Sequence, residues 1–176
     1  MGRGSWIVLA AALQVGGTEG TAPQEGPVDA ETLRVRDRAV VLDVRTVMMA
    51  ARLFAARNGA YYGPFDCLTR PETCLTGFPA DEAPFLDPTH NWLETRHGYE
   101  RKYHLGTKAG EDETVRAGVI AESYRSFAFT AVPTRPGQTG LRAFCGDASG
   151  KICFTADGAP PGVRDGRCAP PCKELK

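Results

Sequence analysis

At 176 residues, the chain is of single-domain size and long enough to bury an apolar core without relying on bridges alone. Its 21 basic and 21 acidic residues cancel, which excludes an overall field drawing in nucleic acid or an anionic surface, and no nucleic-acid partner is expected. Glycine and proline, 20 and 13 in number, cluster between the patterned segments and forecast long loops.

The N-terminus reads as an export segment. Arg3 precedes an apolar run from Trp6 to Val15. About ten apolar residues suit the core of a signal peptide, whereas a membrane-spanning helix needs about 20. Residues 1–17 are therefore read as a signal peptide or short anchor, with membrane contact only through them if they are retained. Residues 18–28 lack apolar periodicity and form a flexible linker. The folded domain is residues 29–176.

The domain opens with its most strongly patterned segment. Asp29 offers an N-cap, Glu31 favours the helix dipole, and no Gly or Pro interrupts the chain before Asn58-Gly59. Leu33, Val40, Val44, Val47, Ala51 and Phe54 fall on one helical stripe, and the arginines mostly lie off it. Met48 and Met49 read as fillers of core gaps. The pattern predicts a helix of up to about 30 residues, some 45 Å long. Its first turns are expected to outrun the sheet, which leaves Leu33, Val35, Val41 and Leu42 as a candidate interaction surface.

Residues 75–97 have no period and read as an irregular connection anchored by Phe78, Phe85, Leu86 and Trp92. Tyr99, Arg101 and Tyr103 then alternate with Glu100, Lys102 and His104 as in a strand. Glu111, Asp112 and Glu113 read as a solvated turn. A second strand lies within Ser123–Val132, with Phe127, Phe129 and Ala131 on one side. Leu141–Cys145 and Lys151–Thr155 form a hairpin. A three-residue loop with Gly150 in the left-handed position sets Asp147 opposite Lys151, Cys145 opposite Cys153 and Phe144 opposite Phe154. A slip of one residue loses all three pairs. The fold class is α+β: a long N-terminal helix packed on a small antiparallel sheet, with stapled loops and a Pro/Gly-rich tail.

The six cysteines fall into three close pairs: Cys67 with Cys74, Cys145 with Cys153, and Cys168 with Cys172. Local pairing of an even number implies disulfides and a compartment outside the reducing cytosol. Zinc is the alternative, but structural zinc sites need two converging clips, and only Cys168-x3-Cys172 nears that spacing.

Little in the chain carries chemistry. His90, His97 and His104 are too dispersed to read as one metal site, and no nucleophile elbow, zinc-binding helix motif or phosphate-cradling loop is present. Asp147 and Asp157 are the acids that the sheet loops offer to a calcium ion. No catalytic residue, cofactor or metal ligand set is assigned, and the chain is not expected to be an enzyme.

Two stretches resemble a known family. Residues 46–63, Thr-Val-Met-Met-Ala-Ala-Arg-Leu-Phe-Ala-Ala-Arg-Asn-Gly-Ala-Tyr-Tyr-Gly, are similar to the end of a type IV pilin helix. Residues 129–152, with Pro133-x-x-Pro136-Gly137, Thr139-Gly-x-Arg-x-Phe144 and Asp147-x-x-Gly150, are similar to its sheet core. Asp66-Cys67-Leu68 and Cys74 resemble a loop bridge of some bacterial pilins. Over about residues 39–157 the chain thus resembles the globular head of a type IV pilin or type II secretion pseudopilin. The resemblance implies a structural protein of the bacterial envelope, periplasmic or extracellular, that packs with other pilin-like subunits or with a secretion or pilus assembly component. The N-terminus departs from the family: the apolar run is short and broken by Gln14, Gly16 and Gly17, and no continuous filament-building helix follows. A secreted monomeric binding module that reuses the fold is the alternative.

Overall fold

The computed structural model describes Met1 and residues 28–176. The expected leader and most of the linker lie outside the described residues. Helix α1 runs Ala30–Arg57. Asp29 caps it, its Oδ1 accepting from the Thr32 backbone N–H at 2.9 Å and its Oδ2 from the Thr32 hydroxyl at 2.6 Å. It ends at Asn58, whose N–H bonds to the carbonyls of Phe54 and Ala55, followed by Gly59 at φ +56°. Short turns follow: α2 (Asp66–Thr69) and a 3₁₀ turn at Pro71–Thr73. The connection up to residue 97 is irregular, as expected. Leu86 and Trp92 are buried, and Phe85 packs edge-on against both Phe54 and Phe78.

Among the described residues, seven strands follow: β1 (Tyr99–Leu105), β2 (Phe127–Pro133), β3 (Ala143–Asp147), β4 (Ile152–Thr155), β5 (Gly162–Arg164), β6 (Arg167–Ala169) and β7 (Lys173–Glu174). The main sheet is antiparallel in the order β1-β2-β3-β4-β7, while β5 and β6 form a separate hairpin. The residues expected to form a solvated turn at 111–113 instead open a helix, α3 (Glu111–Ala117). Glu113 explains the difference: its side chain turns back to the Gly110 N–H and also accepts from Tyr61 and Arg125, so the acidic run is the first turn of a capped helix.

One face of the sheet packs on α1. Val40, Val44, Val47, Ala51 and Phe54 are buried against Tyr99, Phe127, Phe129, Ala131 and Phe144, and Leu33 is buried as well. The closest approach is at Gly146, where a Cβ would stand 2.3 Å from Met48 Sδ and 2.7 Å from Val44 Cγ1. Only glycine lets the helix settle onto β3 there.

The other face is covered by the tail, and here the local bridges read from spacing need correction. Cys67–Cys74 is formed as expected. Cys145 and Cys153 do stand opposite each other in the expected register, as do Phe144 and Phe154, yet they are not bonded to one another. Cys145 is joined to Cys168 and Cys153 to Cys172. Side chains on one sheet face stand side by side and point away from the strands. Both thiols therefore face the layer above them, and each meets a tail cysteine there. The resulting separations of 23 and 19 residues also restrict the unfolded chain more than local bridges would.

The expected Asp147–Lys151 charge pair is likewise absent. Asp147 accepts from the Ser149 N–H and hydroxyl and from the Cys168 N–H, and Lys151 bonds to Glu174 at 2.9 Å. The turn draws the short Asp side chain back onto its own backbone, and the tail supplies the lysine's partner.

Candidate functional site

Two apolar stripes run along α1. The first is the core stripe. The second faces solvent and comprises Val35, Leu42, Met49 and Leu53, which are 53%, 60%, 56% and 49% exposed. Val35, Leu42 and Met49 recur at heptad steps, and Leu53 continues the line one turn on. Arg38, Arg45 and Arg52 recur at the same step along one flank. Among the described residues, Arg38 has an ion pair with Glu31 at 3.8 Å, whereas Arg45 and Arg52 have none.

Of the four residues expected on that surface, Val35 and Leu42 are exposed. Leu33 and Val41 are buried, at 3% and 8% exposure. The start of the helix does not outrun its cover, because the loop between β2 and β3 reaches along it. Gln138 O accepts from Arg36 at 3.2 Å, and Leu141 N donates to Asp37 at 3.1 Å. Met49, expected in the core beside Met48, lies on the exposed ridge while Met48 is buried. The heptad from Val35 through Leu42 to Met49 was the available sequence signal for this ridge. It was obscured by the stronger periodicity of the core stripe.

Where the ridge meets the sheet edge, a groove of about 380 Å³ opens between α1 and β4/β7. Met48, Met49, Ile152 and Leu175 line its apolar part, and Arg45, Arg52 and the Lys151–Glu174 ion pair its charged part. The Arg52 guanidinium lies over the Gly150 turn.

A second cleft, of about 500 Å³, lies on the opposite side of the molecule between the outer face of β1/β2 and the β5–β6 hairpin. Its walls include Leu105, Val132, Pro160 and Val163. His104 lies in β1 on the face it shares with Glu100 and Lys102 and lines this cleft, with Nε2 2.9 Å from Thr130 Oγ1. Burial, then the nearby Lys102 charge, pulls the imidazole below its ordinary range, so it is neutral near pH 7. The cleft's other charges are engaged locally: Glu100 with Lys102 at 2.9 Å, and Asp165 with the Thr107 hydroxyl at 2.6 Å. His90 pairs instead with Asp87 in the connecting loop.

Two buried charges missed by sequence reasoning fix the helix on the sheet. Asp37 is fully buried and accepts from Tyr99 Oη at 2.5 Å, Leu141 N at 3.1 Å and Arg142 Nε at 2.8 Å. Arg101 is buried in β1 and paired with Asp43, and its Nε and Nη1 have no partner among the described residues. Both acids sit on the polar margin of the helix stripe, where a sequence reads them as solvated. Asp147 accepts from the backbone N–H groups of Ser149 and Cys168, and Asp157 from that of Ala159. Among the described residues, no group of three or more His, Cys, Asp or Glu is placed to hold a metal ion.

Comparison with protein-family models, curated proteins and solved structures returned no match. Three disulfides point to an oxidising environment outside the cytosol, and no helix among the described residues is long and apolar enough to cross a membrane.

Proposed function

We propose that this is an exported interaction domain of the bacterial envelope, resembling the head of a type IV pilin or pseudopilin, that works by packing α1 against another protein rather than by catalysis. The observation that carries this reading is the exposed ridge Val35-Leu42-Met49-Leu53. A helix that has already buried one apolar stripe needs no second one for folding, and a continuous apolar line on a folded surface marks a contact site. The long helix on an antiparallel sheet and the family-like motifs at residues 46–63 and 129–152 support the pilin-like part of the reading.

The test is a photo-crosslinking amino acid placed at position 42 or 49 of the protein in its native cells, with exposed Asp81 as the control position. A discrete adduct from 42 and 49 but not from 81 is the expected result. Absence of an adduct from the helix positions removes the reading. A secreted monomeric module using the His104 cleft is the second reading. It is favoured if adducts form only from a crosslinker at Glu100.

A further inference from the structure

We infer that the partner of the α1 ridge is an acidic amphipathic helix of a different chain, and that the arginine column beside the ridge selects it. This rests on the ridge being a contact site and adds the partner's chemistry.

Val35, Leu42 and Met49 repeat every seven residues, so they stay aligned with a neighbouring helix that crosses at a shallow left-handed angle, as in coiled coils. Arg38, Arg45 and Arg52 keep the same repeat, about 10.5 Å apart along the axis. A helix laid on the ridge therefore passes three guanidinium groups on one flank, with the Lys151–Glu174 pair beyond them across the groove. Arginine's planar fork matches carboxylates at such a flank.

A second copy of this chain fits poorly. In an antiparallel pair related by a two-fold axis, the arginine column of one copy faces that of the other, and like charges repel. In a parallel pair it faces the opposite flank, where Asp43 is already paired with Arg101 and Arg57 with Glu82. Glu31 is held by Arg34 and Arg38 at 3.5 and 3.8 Å. Arg45 and Arg52 thus have no ion pair among the described residues, and the groove's carboxylate, Glu174, is taken by Lys151, which calls for acid from outside and disfavours self-association.

The probe is a designed amphipathic peptide of roughly three heptads, with leucine on its apolar face and glutamate on its flanks. Its twin carries lysine in place of glutamate. Binding to the oxidised full chain is followed by fluorescence anisotropy. The glutamate peptide is expected to bind about tenfold more tightly than its twin at low salt, and the difference shrinks as salt is added. The triple variant R38E/R45E/R52E is expected to reverse the preference, and R38Q/R45Q/R52Q to abolish it. Intact mass and circular dichroism confirm that each variant keeps its three disulfides and helix content. Several results overturn the inference: no binding of the glutamate peptide, equal binding of the two, or a preference unmoved by charge reversal. So does dimerisation through position 42, or capture by anionic phosphatidylglycerol vesicles in place of the peptide. If position 42 still gives its cellular adduct while the charge variants change nothing, the contact site stands and the acidic partner falls.

Discussion

The two apolar stripes of α1 have the same composition class and the same helix beneath them, yet they have opposite fates. Leu33, Val40, Val44, Val47, Ala51 and Phe54 disappear under the sheet, and Val35, Leu42, Met49 and Leu53 remain in water. The difference lies in what surrounds them. The buried stripe is bordered by short or small residues and by two acids, Asp37 and Asp43, that find partners on the sheet and its connecting loop. The exposed ridge is bordered by Arg38, Arg45 and Arg52, of which only Arg38 has an ion pair, with Glu31, among the described residues. Apolar content alone therefore does not identify the core, and the charges along each margin decide which stripe is satisfied within the chain.

The comparison breaks most visibly at Phe54. It is fully buried and packs edge-on against Phe85, so Phe54→Ala is expected to cost about 3–5 kcal/mol in denaturant unfolding. Asp37→Ala is expected to fall in a similar range, about 3–5 kcal/mol, because it strands Arg142 and two other donors at a buried site. A loss below about 1 kcal/mol for either substitution contradicts its assignment to the satisfied side.

A second comparison separates the two faces of the sheet. The helix covers one face by apolar packing, whereas the tail has few apolar residues and is fastened covalently. Cys153→Ala with Cys172→Ala is expected to cost about 2–4 kcal/mol while leaving the helical circular dichroism unchanged. Peptide mapping of the unreduced protein checks the connectivity itself. Peptides joined as Cys145–Cys153 contradict the layered arrangement.

How much of this was legible depended on range. The helix with its cap and stop, the β1 alternation and the β3–β4 register rest on spacings within about 30 residues, and the sequence carries them directly. The disulfide partners were missed because they join layers: the register placed Cys145 and Cys153 correctly, but only the path of the tail shows what lies above them. That path had a readable marker. Asp165-Gly166 is a strong two-residue hairpin signal, with φ values of +49° and +63°, and it builds the β5–β6 turn. Glycine is required at 166 because a Cβ there would stand 2.5 Å from Gly106 N. The exposed ridge was half legible. Val35 and Leu42 were identified, but whether Leu33 and Val41 join them depends on the 134–142 loop, which no local pattern positions.

A smaller effect belongs to the tail-covered face. The folded His104 titrates below its ordinary range, while the unfolded chain binds that proton near pH 6.5. Its contribution is therefore fully present above about pH 6.5 and is lost as the pH falls through the lowered folded value. His104→Gln, which can keep a bond to Thr130, is expected to flatten this part of the stability–pH curve. An unchanged slope between pH 7 and 5 contradicts the environment described for the cleft.

The smallest expected change in stability belongs to the exposed ridge, and it decides the functional reading. Leu42→Gln with Met49→Gln is to be measured twice, by denaturant unfolding and by crosslinking from position 53 in native cells. The account predicts stability within about 0.5 kcal/mol of the parent together with loss of the adduct. A drop of several kcal/mol, or an adduct that survives both substitutions, contradicts the claim that the second stripe of α1 exists for a partner.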